Sequence, residues 1–267
     1  MARCLPGGDK VEPMGNESTM SVRLDPLHYP WDPPEASGVV LGEDFLPLGL
    51  AADLNAVLSG ADAAPLGARS LVVSIGSNSS PDVMRRKFAN YGQPVSRILP
   101  MVRGRLHNIG VGHSAHVSTA GYIAAAPYSR TGKCTTVWVS WLDEGQLLAL
   151  DATEHNYRRL ELNGKDCGLV LDNGERPATF SLYASSWGVL NDGHGAELPL
   201  MDQPALFGLL AGSLTGRDLE DEKSVFEGPP ERVVEQLALA SVQAGAKDWF
   251  RSAGLVTQVD FDSVREG

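Results

Sequence analysis

The stretch from Asp143 to Leu162, DEGQLLALDATEHNYRRLEL, constrains what this chain can fold into more than any other. Its first half carries two helix signals. Asp143 can cap an N-terminus, with Gln146 three residues on to reach back in a capping box. Leu147, Leu148 and Leu150 then follow at helical spacing. On a wheel of about 3.6 residues per turn, Glu154 falls between Leu150 and Leu147, and Asp151 lies on the same apolar face. Carboxylates that face a core are costly unless they are paired, hydrogen-bonded or put to use. Two readings stand. Either the helix carries Glu154 inward as a chemical group, or the helix ends before Glu154 and the acid caps a neighbouring segment.

A second element precedes it. Arg69 to Ile75 reads as a buried strand through its LVVSI run, and Gly76-Ser77-Asn78-Ser79 is a turn. Ser80-Pro81-Asp82 opens a helix with proline at its first position. That helix should run to about Asn90 with Val83, Met84 and Phe88 inward, and Gly92 should stop it. A strand, a small-residue turn and a helix start in succession aim backbone N–H groups at one point, which suits a carboxylate or a developing oxyanion. By itself the turn is also compatible with an ordinary strand-to-helix connection.

Taken together, the two elements carry a resemblance. Leu150-Asp151-Ala152-Thr153-Glu154, followed by Tyr157-Arg158-Arg159, resembles the LDxxE…YxR element of the γ-glutamyl cyclotransferase-like family. Ile75-Gly76-Ser77-Asn78 resembles that family's YGSN glycine loop, in the expected order, and the likeness covers roughly residues 70 to 190. It implies an α+β fold: a small mixed β-barrel of six or seven strands flanked by a few helices. It also implies that Glu154 is the general acid/base and that Ile75, Gly76, Ser77, Asn78 and Tyr157 bind substrate. The reaction would be attack of a γ-glutamyl α-amine on its own side-chain amide, releasing 5-oxoproline and an amine without metal or organic cofactor. Two departures stand out: Ile75 replaces an aromatic residue before the glycine loop, and Phe207, after Pro204, lacks the hydroxyl of a tyrosine the family often places there.

The rest of the chain is organised about this unit. Residues 1–20 read as a disordered tail, and 21–68 as an extension whose Pro26, Pro30, Pro33 and Pro34 forbid a long helix before a short one over Leu48 to Leu58. Residues 69–190 are the barrel, with strand runs ILPMVRGRLHNI, AGYIAAAP, CTTVWVSWL, CGLVLDN and ATFSLYAS. Residues 191–267 form a helical extension packed on the barrel, with helices expected over Gln203 to Leu214 and Pro230 to about Ser252. The last of these should dress the barrel or a homodimer contact.

A formal net charge of −11 argues against a nucleic-acid or anionic-membrane partner. No apolar run reaches membrane-spanning length, and the first 25 residues lack the apolar centre of a signal peptide. Cys4, Cys134 and Cys167, odd in number and without paired spacing, read as free thiols, which suits a cytoplasmic protein.

Two other constellations offer chemistry. His107, His113 and His116 have metal-ligating side chains, but His107 and His116 differ in parity along an extended chain, so the expectation is no metal site. Gly112-His113-Ser114-Ala115-His116 echoes the G-x-S-x-G elbow of serine hydrolases, with His116 in place of the closing glycine and no good helix after it. A hydrolase built on Ser114 is the first alternative function, and a non-catalytic metabolite- or partner-binding module on the same fold is the second.

Overall fold

The structure is a computed structural model, and it describes residues 24–214 and 220–261. The tail expected over residues 1–20 lies outside the described residues. In chain order the elements are β1 (Gly38–Leu41), β2 (Asp44–Pro47), α1 (Leu54–Gly60), β3 (Ser70–Ser74), α2 (Pro81–Asn90), β4 (Ile98–Val117), β5 (Ile123–Leu142), α3 (Glu144–Asp151) and β6 (Tyr157–Asn163). There follow α4 (Gly164–Cys167), β7 (Leu169–Leu171), β8 (Thr179–Ser185), β9 (Val189–Leu190), α5 (Gln203–Leu214), α6 (Glu220–Val225), α7 (Pro230–Leu237), α8 (Ala240–Ser252) and β10 (Val256–Thr257). Single turns of 3₁₀ helix at Pro26–His28, Leu66–Ala68 and Gly76–Ser79 complete the set.

The fold is mixed α+β, built on one ten-stranded sheet. Its main path runs β10-β9-β4-β5-β3-β8-β6. The hairpin of β4 and β5, strands of 20 residues each, is its spine, pairing from Met101 with Ser140 to Val117 with Ile123 through two register shifts. Such shifts bend and twist a ribbon locally. The closed barrel of six or seven strands is corrected to an open sheet. The outer edge of β4 is taken in succession by β1, β7 and β9. The strand β6, which would have to close a ring, carries Arg158, Arg159 and Glu161, and among the described residues its one strand partner is β8. Charged side chains on an edge strand are a recognised way to leave it unpaired.

The same side of the hairpin explains where the site forms. β3 pairs with β5 only over Trp138 to Leu142, so the early residues of β5 have no strand on that side. Side chains take the backbone groups instead, as buried amides demand. Gln203 accepts from Ile123 N at 2.8 Å and donates to Ile123 O at 3.1 Å. Tyr29 accepts from Ala125 N at 2.7 Å, and Tyr157 donates to Ala125 O at 2.8 Å.

Several elements form where the periodicity places them. α2 spans Pro81–Asn90 with proline in its first turn and Val83, Met84 and Phe88 buried. α5 spans Gln203–Leu214. The capping box of α3 is complete, with Asp143 Oδ1 accepting from Gln146 N at 2.9 Å and Gln146 Oε1 accepting from Asp143 N at 3.1 Å. The short helix expected over Leu48 to Leu58 is displaced to Leu54–Gly60, where Asp53 caps it. The single helix expected from Pro230 is two, α7 and α8, broken at Ala238-Leu239, with Leu239 extended at the start of α8.

The C-terminal helices share a core with the sheet. Leu206, Phe207, Leu210 and Phe250 pack in one cluster with Val117 and Ile123 of the hairpin. A second cluster joins Val73, Leu106, Val139, Leu169 and Leu182 between the sheet strands, and a third seats α2 and α3 on it through Met84, Phe88 and Leu150. No helix among the described residues is long and apolar enough to cross a membrane.

Candidate active site

The helix boundary decides how Glu154 is held. α3 stops at Asp151, and Glu154 sits in the turn before β6, where its N–H bonds to Asp151 O at 3.2 Å. The wheel that carried the helix through Glu154 is therefore corrected, yet the side chain still points inward and is only 10% exposed. It does not cap a backbone segment. Asn78 donates to its Oε1 at 3.1 Å, and the Lys87 ammonium reaches the same oxygen at 2.6 Å. Lys87 also donates to Asn78 Oδ1 at 2.7 Å, so the three side chains close a ring of hydrogen bonds. Among the described residues no hydrogen bond reaches Oε2.

Asn78 belongs to the glycine loop. After β3, Gly76–Ser79 forms one 3₁₀ turn, with Gly76 at φ 61°. Only glycine takes that conformation without strain, and a Cβ there would overlap the Tyr29 hydroxyl and crowd Ala125. Ser79 Oγ ties the turn by donating to Gly76 O at 2.7 Å.

Loop and acid face one cavity of about 710 Å³. Of the residues expected in the site, Ile75, Ser77, Asn78, Glu154 and Tyr157 line it, and Gly76 sets the turn behind them. Asp151 stands apart. Arg159 holds it through two bonds of 3.0 and 3.1 Å, and Tyr183 donates to it at 2.6 Å.

Sequence reasoning missed four contributors. Lys87 was legible in part, since it lies four residues after Val83 and three after Met84, on the inward face of α2. Tyr29, Trp31 and Tyr122 carried no such signal, because the topology alone brings the 25–31 segment against β5. Tyr29 and Tyr122 stack with centroids 4.3 Å apart, and Trp31 meets both edge-on at 5.2 and 5.4 Å. Burial pushes the Tyr122 phenol up to about 12 and the Tyr29 phenol higher still, with Glu154 adding in the same direction, so both stay protonated at neutral pH. At the opposite wall, Val234, Glu235 and Ala238 of α7 complete the lining.

The three histidines are dispersed. His107 is exposed on β4. His113 is buried and accepts from Met201 N at 3.0 Å. His116 pairs with Ser114 Oγ through Nδ1 at 2.6 Å and meets the Tyr157 ring edge-on. Burial lowers both His113 and His116 to about 4, with Lys247 adding to the effect at His116. Among the described residues no group of three or more metal-ligating side chains comes together.

Ser114 lies inside β4, fully buried, and not on a strand-to-helix elbow. Its hydroxyl is shared between His116 and Ser185 Oγ, the latter at 2.7 Å. His116 lines the cavity but Ser114 does not.

Neither a family model nor a curated protein matches the chain. Among solved structures, the chain is similar in fold to a gamma-glutamyl cyclotransferase, at 13% identity and a TM-score of 0.38, with 62% of this chain and 98% of that chain covered. It is also similar to a yeast gamma-glutamyl cyclotransferase specific to glutathione, at 10% identity and 0.33, with 63% and 97% covered. A third likeness is to an Arabidopsis thaliana protein of known solution structure, at 16% identity and 0.33, with 45% and 70% covered.

Proposed function

We propose that the chain is an enzyme of γ-glutamyl cyclotransferase type, acting on a γ-glutamyl amide or peptide. The observation that carries this is the inward carboxylate of Glu154, held by Asn78 of the glycine loop and by Lys87 at the wall of the cavity. In such a substrate the α-amine reaches its own side-chain carbonyl, so the protein has to fold the chain and move protons. Holding near-attack geometry supplies the entropic part. Glu154 takes a proton from the α-ammonium, the amine adds to the carbonyl carbon, and the ring closes as the C–N bond to the leaving amine breaks. Glu154 hands that proton to the leaving nitrogen and then relays the second proton, which the attacking nitrogen sheds on becoming the lactam N–H, so that the amine departs as an ammonium. Products are 5-oxoproline and the freed amine, and the step needs no change of oxidation state.

Asn78 and Lys87 both bond Oε1, which fixes the carboxylate while leaving Oε2 for the substrate's nitrogen. This division of labour suits a group that shuttles a proton, because the orientation does not depend on the substrate.

The Ser114–His116 contact favours a second reading, a serine hydrolase, although the hydroxyl is buried and also bonded to Ser185. One experiment separates the two. Purified protein is offered a panel of γ-glutamyl peptides and amines, with 5-oxoproline release as the readout, and in parallel a fluorophosphonate probe. The expected result is 5-oxoproline from the wild type, a loss of about two to four orders of magnitude in Glu154→Gln, and no label on Ser114. Stoichiometric labelling of Ser114 without 5-oxoproline release would transfer the case to the hydrolase. A fully active Glu154→Gln protein would remove Glu154 from the mechanism.

A further inference from the structure

Tyr29 comes from the segment before the glycine-loop unit, yet its hydroxyl lies beside that loop. The residue is 4% exposed, and its ring is clamped between Tyr122 and Trp31. The phenol oxygen accepts from Ala125 N at 2.7 Å and lies against Gly76 of the glycine loop. A backbone donor on the oxygen polarises the O–H. Among the described residues no acceptor stands within hydrogen-bonding reach of that hydrogen, although the ring lines the cavity. Leaving a buried donor unmatched is costly unless a ligand completes it. Phe207, where a tyrosine hydroxyl is expected, packs instead among Leu206, Leu210 and Phe226, away from the cavity lining.

We infer that Tyr29 is a catalytic residue that donates its phenolic hydrogen to the oxygen of the attacked amide carbonyl. The β5 backbone then acts through the phenol, with the Ala125 N–H bonding the tyrosine oxygen and the tyrosine bonding the substrate. As the α-amine adds, the carbonyl electron pair moves onto oxygen, and the Tyr29 O–H holds that charge without giving up its proton. When the leaving amine departs with the proton from Glu154, the pair returns and the carbonyl re-forms. A donor aimed at developing charge acts on the rate more than on binding.

This inference rests on the cyclotransferase reading, and the experiment keeps the two apart. Steady-state rates on the γ-glutamyl panel are measured for wild type, Glu154→Gln, Tyr29→Phe, and a protein carrying 3,5-difluorotyrosine at position 29. Tyr29→Phe should lower kcat by about 10- to 1,000-fold and leave KM within roughly threefold. The difluorotyrosine protein keeps the ring, the acceptor and the fold, so it tests the donor even where the phenylalanine variant folds poorly. Its kcat at neutral pH should match or exceed that of the wild type, because the more acidic phenol is still protonated there and is the stronger donor. An unchanged kcat in Tyr29→Phe, a rise in KM alone, or a difluorotyrosine protein as slow as Tyr29→Phe would overturn the inference while leaving Glu154 in place. A faster or tighter-binding Tyr29→Phe would identify the side chain as a plug over the loop and overturn it equally. Absence of 5-oxoproline release from wild type would fell the cyclotransferase reading, and this role for Tyr29 with it.

Discussion

At the scale of single residues, the site turns on one ion pair. Lys87 and Glu154 lie 2.6 Å apart with side chains 17% and 10% exposed, so neither is well solvated. A pair this enclosed contributes little net stability, because desolvation offsets the attraction, but removing one partner strands the other. Lys87→Met should therefore cost up to about 3 kcal/mol, and should also free the Glu154 carboxylate from its fixed orientation. Adding Glu154→Gln to that variant should return part of the stability, since no charge is then left unpaired. Denaturant unfolding of the two single variants and the double variant gives the coupling directly. Additive losses would mean that the two side chains do not interact in solution. Asp151 is a contrast: it binds Arg159 and Tyr183 side chains, not backbone near the helix end as its position on α3 implies.

At the scale of elements, what could be read from the chain was what local rules control. The strand, the glycine turn and α2 follow from an apolar run, one positive-φ position and Pro81. The capping box of α3 follows from Asp143 and Gln146 alone. What could not be read was pairing. The runs ILPMVRGRLHNI and CTTVWVSWL are parts of two 20-residue strands, because register shifts let β4 and β5 continue past Gly110 and Gly112, where glycine reads as punctuation. Nor could local pattern foresee that a segment near the N-terminus would satisfy Ala125 of β5, since only the sheet order exposes that edge.

His113 is the joint that shows this coupling. It holds β4 to the lead-in of α5 through Met201 N, and its Nδ1 lies 3.5 Å from Ile123 O on β5. Burial depresses the imidazole to about 4, against an ordinary value of about 6.5. Between these values the unfolded chain binds a proton that the folded chain refuses. Stability is therefore full above pH about 6.5 and falls as pH drops towards 4, by up to about 3 kcal/mol for this group. His116, depressed in the same way, adds a loss of the same sign. Melting temperature followed from pH 7 to pH 4 should decline in the wild type, and the decline should be shallower in His113→Gln, whatever that variant's stability at pH 7. Equal slopes in the two proteins would refute a neutral, bonded His113.

At the scale of the whole molecule, the segments that flank the glycine-loop unit belong to its interior. The 25–31 segment supplies Tyr29 and Trp31 to one wall of the cavity, and α7 supplies Val234, Glu235 and Ala238 to another. Gly121, at the β4–β5 turn, has φ 86° and lies so close to Val234 O that a Cβ would collide with the α7 backbone. The helices from α5 onward and the end of the hairpin bury one cluster, in which Val233, Leu237, Ala246, Phe250 and Leu255 come from residues beyond 228. We therefore propose that 191–267 does not behave as a detachable extension. Burying a side chain such as Leu237 or Phe250 contributes about 1.5–3 kcal/mol, and a domain's whole margin is about 5–15 kcal/mol. Removing several at once also bares Leu206, Phe207 and Leu210 of α5, together with Val117 and Ile123. A chain ending at Gly228 should therefore aggregate or lose its near-ultraviolet circular dichroism, and release no 5-oxoproline. Size-exclusion chromatography with circular dichroism reads the outcome. A monodisperse truncated protein with native-like dichroism would show that the sheet and its cavity stand without α7 and α8.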